Sequence, residues 1–158
     1  MAGLVELRAV EDVDLSVFFS HQQDAEAVHM AAFVSKDPSD RAAFDTHWER
    51  IRAHPSVAIR TILRDGRIAG HVASFEQEGT REVTYWIGRD HTGRGVATAA
   101  LKAFLECDDT RPMHARVAKD NRGSIRVLEK CGFETVGEER GFANARGEEI
   151  DELVMRLA

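Results

Sequence analysis

The chain has 158 residues, 43% hydrophobic and 30% charged, which is the composition of one soluble globular domain with a sizeable core. Its formal net charge of −6, without a face rich in lysine and arginine, argues against a nucleic-acid binder. No apolar run approaches the roughly 20 residues that span a bilayer, and the N-terminus lacks the pattern of a signal peptide. We therefore expect a cytoplasmic protein that does not enter the membrane.

Hydrophobic spacing and turn residues predict an α/β order of elements. Strands are predicted over residues 5–8, 57–63, 68–75, 83–88 and 113–117, with a final hairpin over 135–142 and 150–157. Helical segments are predicted between residues 12 and 33, after Ser39 or Asp40, after Gly95 and after Asn121. Asp65-Gly66 is a strong signal for a type I′ turn between two strands. Cys107 and Cys131 lack metal-binding spacing, and we expect them to be buried free thiols.

The stretch over residues 85–98 is predicted to be a strand, then a glycine-containing loop, then an amphipathic helix. In that arrangement, loop N–H groups and the positive end of a helix dipole converge on one point, which suits a pyrophosphate. Gly93 and Gly95 let the backbone approach such a ligand closely, and Arg89 and Arg94 add positive charge. A P-loop would need Lys-Ser or Lys-Thr here, and Thr98 replaces the third glycine of the dinucleotide fingerprint. The glycines alone are also compatible with a plain strand-to-helix turn that binds no anion.

A second motif follows about thirty residues downstream. A short apolar strand ends at Asp120-Asn121, and both residue types are good helix N-caps. In the helix that follows, Ile125, Leu128 and Cys131 share one face, and Gly132 stands where a left-handed C-cap belongs. Taken alone, Asn121 and Ser124 are explained by ordinary helix capping.

Together, the two motifs resemble those of the GNAT superfamily of acetyl-CoA-dependent N-acetyltransferases. The sequence Tyr-Trp-Ile-Gly, then Gly-Arg-Gly-Val-Ala-Thr, Asn-x-x-Ser and Val-Leu-Glu-Lys-Cys-Gly-Phe, looks most like the RimJ/RimL branch of ribosomal-protein N-terminal acetyltransferases. The resemblance covers roughly the second half of the chain. It implies a single GNAT domain over residues 1–158. Its fold would be α/β, with a mixed, mostly antiparallel twisted sheet, a splayed parallel strand pair and helices on both faces.

The resemblance also implies where the co-substrate acetyl-CoA binds, with no metal required. The pantetheine arm would pair with free backbone groups of Trp86, Ile87 and Gly88, in the wedge between the splayed strands. The pyrophosphate would lie on the loop and on the start of the next helix, formed by His91, Thr92, Gly93, Arg94, Gly95, Val96 and Ala97. Asn121 would reach the pantetheine, and Ser124 would lie near the sulfur. Arg122, Arg126 and Lys130 are the candidates for the 3′-phosphate.

Acetyl transfer to an amine requires a proton donor for the departing thiolate. Many GNAT enzymes use a tyrosine four residues before the Gly-Phe pair, and Leu128 occupies that position here. The only tyrosine of the chain, Tyr85, lies on the strand before the glycine loop. We therefore expect Ser124, and not a tyrosine, to supply the proton.

The reaction also needs a neutral amine, so a base assists at neutral pH. Glu82 precedes the cofactor strand and is the first candidate, although a solvated glutamate explains it equally well. His71 and Glu76 are the second and third candidates, and an isolated strand histidine is more often structural. His21 and His29 are candidates for the lining of the acceptor pocket.

Two functions from different classes remain open. The first is an active N-acetyltransferase, monomeric or homodimeric, that acts on the primary amine of a protein or peptide N-terminus or of a small molecule, by direct attack in a ternary complex. The second is a catalytically silent acetyl-CoA-binding protein of the same fold, serving as a sensor or a binding module. The pair Asn121 and Ser124 and the carboxylate of Glu82 favour the enzyme.

Overall fold

The computed structural model describes residues 3–158, which form one seven-stranded sheet with helices packed against it. The strands are β1 (Val5–Arg8), β2 (Ala58–Arg64), β3 (Arg67–Gln77), β4 (Thr80–Ile87), β5 (Met113–Ala118), β6 (Glu134–Ala143) and β7 (Glu148–Leu157). The helices are α1 (Asp14–His21), α2 (Ala25–Ala31), α3 (Arg41–Ala53), α4 (Val96–Cys107) and α5 (Arg122–Lys130). The predicted order of elements is confirmed, although β4 begins at Thr80 and not at Val83. A short 3₁₀ turn, Arg89–His91, lies between β4 and the glycines.

The strand order is β1-β2-β3-β4-β5-β7-β6. Every neighbouring pair is antiparallel except β4 and β5, which run parallel. Only two residue pairs join these two strands, Arg81 with Met113 and Glu82 with His114. Beyond them β4 continues to Ile87 and β5 to Ala118 without pairing to each other. The predicted mixed sheet with one splayed parallel pair is therefore confirmed.

The β2–β3 hairpin brings the start of β3 close to the end of β4. Asp65 and Gly66 have φ values of 50° and 80°, as a type I′ turn requires. One extra residue, Ala69, interrupts the register, because Ile62 pairs with Gly70 whereas Leu63 pairs with Ile68. A bulge of this kind changes which face of the sheet the following side chains occupy.

Two separate cores cover the two faces of the sheet. On one face, the helix predicted to be amphipathic, α4, buries Val96, Ala100, Leu101, Phe104 and Leu105. On the other face, Phe18 of α1 and Phe44 and Trp48 of α3 pack on β2 and β3. The prediction of helices on both faces is confirmed. Each core also contributes side chains to the lining of the cavity between β4 and β5.

Asp14 is a fully buried carboxylate that holds α1 to the sheet. It accepts hydrogen bonds from Arg8 at 2.7 and 2.9 Å, from the Glu11 amide at 2.9 Å and from the Thr61 hydroxyl at 2.7 Å. Burial alone would raise the pKa of this carboxyl, but these hydrogen bonds lower it to about 2. Asp14 is therefore a structural anion.

The expectation of two buried thiols is wrong for Cys107. Both cysteines are free, but Cys107 is exposed at the last residue of α4, beyond the buried face of the helix, and Cys131 is half-buried. Within residues 3–158, no helix is both long and apolar enough to cross a bilayer. The same residues contain no cluster of three or more His, Cys, Asp or Glu side chains suited to a metal ion.

Candidate active site

A cavity of about 850 Å³ opens where β4 and β5 separate. Its walls come from both strands, from α1 and α3 on one side and from the start of α5 on the other. Glu82, Trp86, Asn121 and Ser124, four of the predicted site residues, all line it. The structure therefore brings these four residues, two from β4 and two from the start of α5, to one cavity.

The last residues of β4 leave fewer backbone groups for a ligand than the sequence suggests. Trp86 and Ile87 pair with β3 on one side and have no pairing partner in β5 on the other. The N–H of Gly88, in contrast, donates to the carbonyl of Ala69 at 2.8 Å, and its carbonyl accepts from His91 at 2.9 Å. Gly88 therefore has no free N–H, contrary to the expectation, because β3 reaches one residue beyond the end of β4.

The loop after β4 divides into an engaged part and an open part. The amides of His91 and Thr92 are used inside the 3₁₀ turn, donating to Gly88 at 2.9 Å and to Arg89 at 3.2 Å. Within the described chain, no hydrogen bond is found for the N–H groups of residues 93–95, and the first-turn amides of α4 have no partner inside the helix. The N–H groups suited to an anion thus begin at Gly93 and not at His91.

Four arginines lie in this loop or beside it. Arg64, Arg67, Arg89 and Arg94 line a hollow of about 590 Å³ together with Asp90, His91 and Thr92. Arg89 lies 3.8 Å from Asp24 and 3.7 Å from Glu26, which offsets part of its charge.

Arg64 and Arg67 were not predicted as site residues. They flank the turn Asp65-Gly66 and reach the loop only because β3 pairs with β4 in the observed register. Arg122, Arg126 and Lys130, the predicted contacts of the 3′-phosphate, are exposed on α5.

Asn121 is the N-cap of α5. Its Oδ1 accepts from the Ser124 amide at 3.2 Å, and its Nδ2 donates to the carbonyl of Met30 at 3.4 Å. The capping interpretation is therefore correct for Asn121, which also ties α2 to α5. The Ser124 hydroxyl takes no part in this cap.

The Ser124 hydroxyl instead contacts Tyr85. The two side-chain oxygens are 2.7 Å apart, and the Tyr85 hydroxyl also lies 3.4 Å from the Ser124 carbonyl. Burial raises the pKa of Tyr85 to about 12, although the contact with Ser124 lowers it in part. Tyr85 therefore contacts the expected proton donor, although it does not occupy the position of the usual GNAT tyrosine, which is Leu128 here. No short-range spacing could have revealed the contact, because 39 residues separate the partners.

Glu82 is 5% exposed and lies at the last point where β4 and β5 are still paired. Its Oε1 accepts from Arg116 Nε at 3.1 Å, whereas no described residue donates to Oε2. Burial raises the pKa of this carboxyl, and the charge of Arg116 opposes that shift. Arg116 also contacts Glu139 and Glu152, so three carboxylates surround one guanidinium. Arg116 and Glu152 are cavity residues that the sequence analysis missed.

His71 lies between aromatic rings in the cavity wall. Its ring centroid is 4.9 Å from that of Phe18 and 4.9 Å from that of Trp48. Burial, together with the nearby His21 and His47, lowers the pKa of His71 to about 3. A neutral imidazole with so low a pKa is a weak base at neutral pH, which favours the structural interpretation.

The other candidates of the sequence analysis lie farther from the centre of the cavity. Glu76 lines it, but the side chain is half exposed and lies 3.7 Å from Arg81. His21 packs against Gly88, and His29 is exposed on α2; neither lines the cavity. The expectation that these two histidines shape the acceptor pocket is therefore not met by their positions.

Comparison with known proteins gives matches over most of the chain. Residues 5–134 match the family described as acetyltransferase (GNAT) domain. The uncharacterized N-acetyltransferase p20 of Bacillus licheniformis is 29% identical over 86 residues, covering 52% of this chain and 48% of that protein. The L-amino acid N-acetyltransferase AaaT of Escherichia coli K12 is 28% identical over 121 residues, covering 70% of this chain and 75% of that protein.

A solved structure of similar fold is Mycobacterium smegmatis RimJ in complex with CoA-disulfide. The TM-score is 0.82 at 24% sequence identity, and the match covers 98% of this chain and 82% of that chain. At this identity the likeness is one of fold. The match to the B. licheniformis protein spans about half of that protein's length.

Proposed function

We propose that this chain, which belongs to the acetyltransferase (GNAT) domain family, transfers the acetyl group of acetyl-CoA to a primary amine. The family predicted from the two motifs is confirmed by the match over residues 5–134, and RimJ shares the fold. The observation that carries the proposal is the separation of β4 and β5 after Glu82, directly beside an arginine-rich loop with open amides. An extended, phosphorylated thioester fits both features at once.

The described residues suit acetyl-CoA in three respects. The unpaired edges of β4 and β5 offer backbone groups to an amide-containing arm, as an added strand would require. The N–H groups from Gly93 to Ala97 and the N-terminus of α4 suit a pyrophosphate. Arg64, Arg67 and Arg94 supply positive charge for the phosphates. CoA-disulfide is bound in the RimJ structure, which agrees with this assignment.

In the proposed reaction, the amine attacks the thioester carbonyl directly, in a ternary complex. Glu82 accepts the proton of the amine, directly or through water, because none of residues 3–158 donates to its Oε2 and the side chain lines the cavity. Unpaired amides at the edge of β4 stabilise the oxyanion. The Ser124 hydroxyl supplies a proton to the departing sulfur.

The acceptor is a primary amine, of a small molecule or of a protein N-terminus. The aromatic side chains Phe18, Phe44 and Trp48 in the cavity wall favour an acceptor with an apolar group near its amine. At the other wall, the cavity-lining carboxylates of Glu82 and Glu152 outnumber Arg116, which favours a cationic amine there. AaaT is named for L-amino acids, and a Brucella melitensis protein of similar fold is named a ribosomal-protein-alanine N-acetyltransferase, so both acceptor types belong in the test.

The experiment is a thiol-release assay with acetyl-CoA against L-amino acids, polyamines and peptides of varied N-terminal residue. We expect turnover with at least one primary amine, and mass spectrometry should find a single added acetyl group on its nitrogen. Glu82→Gln is the matched control, because it keeps the shape of the side chain and removes its basicity. Tight binding of acetyl-CoA by calorimetry, without turnover of any amine, would favour the silent binding protein instead.

A further inference from the structure

The pair of hydroxyl groups formed by Tyr85 and Ser124 has a geometry suited to passing a proton. Tyr85 comes from β4, on one side of the wedge, and Ser124 from the first turn of α5, which follows the strand on the other side. The two oxygens are 2.7 Å apart, and both residues line the cavity. Either oxygen can be the donor in this contact.

We propose that Tyr85 is the proton source behind Ser124, acting on the leaving thiolate through the serine hydroxyl. In this arrangement the phenol O–H donates to Ser124 Oγ, which directs the serine proton into the cavity. Tyr85 is thus a positioning residue, because Ser124 stands between it and the reacting atoms. This inference rests on the proposed acetyltransferase function.

The protons balance in the proposed step. As the carbon–sulfur bond breaks, the Ser124 proton moves to the sulfur and the Tyr85 proton moves to Oγ, which leaves a thiol, a neutral serine and a phenolate. The amine loses one proton to Glu82 or water on becoming an amide, and solvent returns one proton to the phenolate. Counted from the neutral amine, the net reaction neither consumes nor releases a proton; counted from the ammonium form, it releases one proton to solvent.

A serine alone is a poor acid for this step. The thiol has an ordinary pKa of about 8.5, and the phenol, even with its pKa raised by burial to about 12, is a closer match to it than an aliphatic alcohol. Because burial raises the pKa of Tyr85 to about 12, the phenol stays protonated throughout the neutral range. The titratable group facing Tyr85 is the thiol of Cys131, the C-cap of α5, and burial raises the pKa of that thiol. On β3, the residue paired with Tyr85 is Val72, which does not titrate.

The chain offers an unusually direct test, because Tyr85 is its only tyrosine. Growth with 3,5-difluorotyrosine therefore changes this residue alone and lowers the pKa of its phenol. Phenolate absorbance measures the midpoint of ionisation without any need for turnover. We expect kcat of the fluorinated enzyme to fall as pH rises through that midpoint, while the ordinary enzyme stays flat there. A kcat that does not change through the measured midpoint would overturn the proposal.

The pair Tyr85→Phe and Ser124→Ala, with the double variant, gives a second test. Tyr85→Phe keeps the ring and removes only the hydroxyl, and we expect kcat to fall about tenfold or more with KM for acetyl-CoA within about twofold. The double variant should be no slower than the slower single variant, because the two hydroxyls act in series. Losses that multiply in the double variant would contradict a relay.

Ser124→Ala in the fluorinated protein separates this inference from the proposed function. When the phenol ionises, the Ser124 hydroxyl can turn and donate to the phenolate, which lowers the pKa of Tyr85. Loss of the contact should therefore raise the midpoint of phenol ionisation. An unchanged midpoint in a folded protein would overturn the contact itself. Failure of every amine in the thiol-release assay would overturn the proposed function, and this absorbance measurement would still report on the contact.

Discussion

The substitution Gly93→Asp tests whether the loop after β4 binds the pyrophosphate of acetyl-CoA. Gly93 has a φ of +71°, and a Cβ added there would meet nothing within 4 Å. The side chain therefore fits sterically, and the left-handed backbone costs a residue with a Cβ roughly 1–2 kcal/mol. The fold is expected to survive, so any loss of binding reflects the new carboxylate.

The expected loss follows from Coulomb's law. A carboxylate about 5 Å from a phosphate charge is repelled by about 0.8 kcal/mol at the dielectric constant of water and by about 3 kcal/mol at an effective value of 20. Residues 92–95 are exposed and a bound pyrophosphate would cover them in part, so the repulsion lies between these limits. We expect the Kd for acetyl-CoA to rise about 5- to 150-fold.

The assay is calorimetric titration with acetyl-CoA, with two matched controls. Gly147→Asp places the same residue at a φ of +67°, again with nothing within 4 Å, but in the turn between β6 and β7. Gly93→Asn keeps the size of the new side chain without its charge. We expect wild-type affinity for Gly147→Asp and a smaller loss for Gly93→Asn. An unchanged Kd in folded Gly93→Asp would refute the placement of the pyrophosphate on this loop.

Three further predictions concern other parts of the molecule. Glu82→Gln should lower kcat/KM about a hundredfold. The wild-type rate should fall as pH drops through the raised pKa of Glu82, and the variant should lack this fall. A variant with wild-type kcat/KM would exclude Glu82 as the base. Arg67→Ala should weaken acetyl-CoA about fivefold in titrations at low salt, and less at high salt, whereas the exposed Arg140→Ala should have no effect. The pKa of Asp14 is about 2, against an ordinary value of 3.8, so the carboxylate stabilises the fold fully above about pH 4 and progressively less towards pH 2. Asp14→Asn should lower the free energy of unfolding, measured with urea at pH 7, by about 2 kcal/mol and should weaken its dependence on acid pH.

The sequence alone determined the features that depend on neighbouring residues. The buried face of α4, the type I′ turn at Asp65-Gly66 and the N-cap of α5 at Asn121 all follow from contacts within a few positions. Hydrophobic spacing and capping residues record such contacts directly. The family was also readable from the sequence, because its glycine loop and its Asn-x-x-Ser motif are both short and local.

The tertiary structure decided which distant groups meet. Tyr85 contacts Ser124 across 39 positions, and Arg116 contacts Glu82 across 34. Arg64 and Arg67 reach the glycine loop only because β3 pairs with β4 in the observed register. The same register brings the carbonyl of Ala69 to the N–H of Gly88, from which it accepts a hydrogen bond. A strand pairing shifted by one residue would turn each of these side chains to the other face of the sheet. The proposed proton donors and the proposed phosphate-binding cations therefore meet through the register of the sheet, which no local pattern encodes.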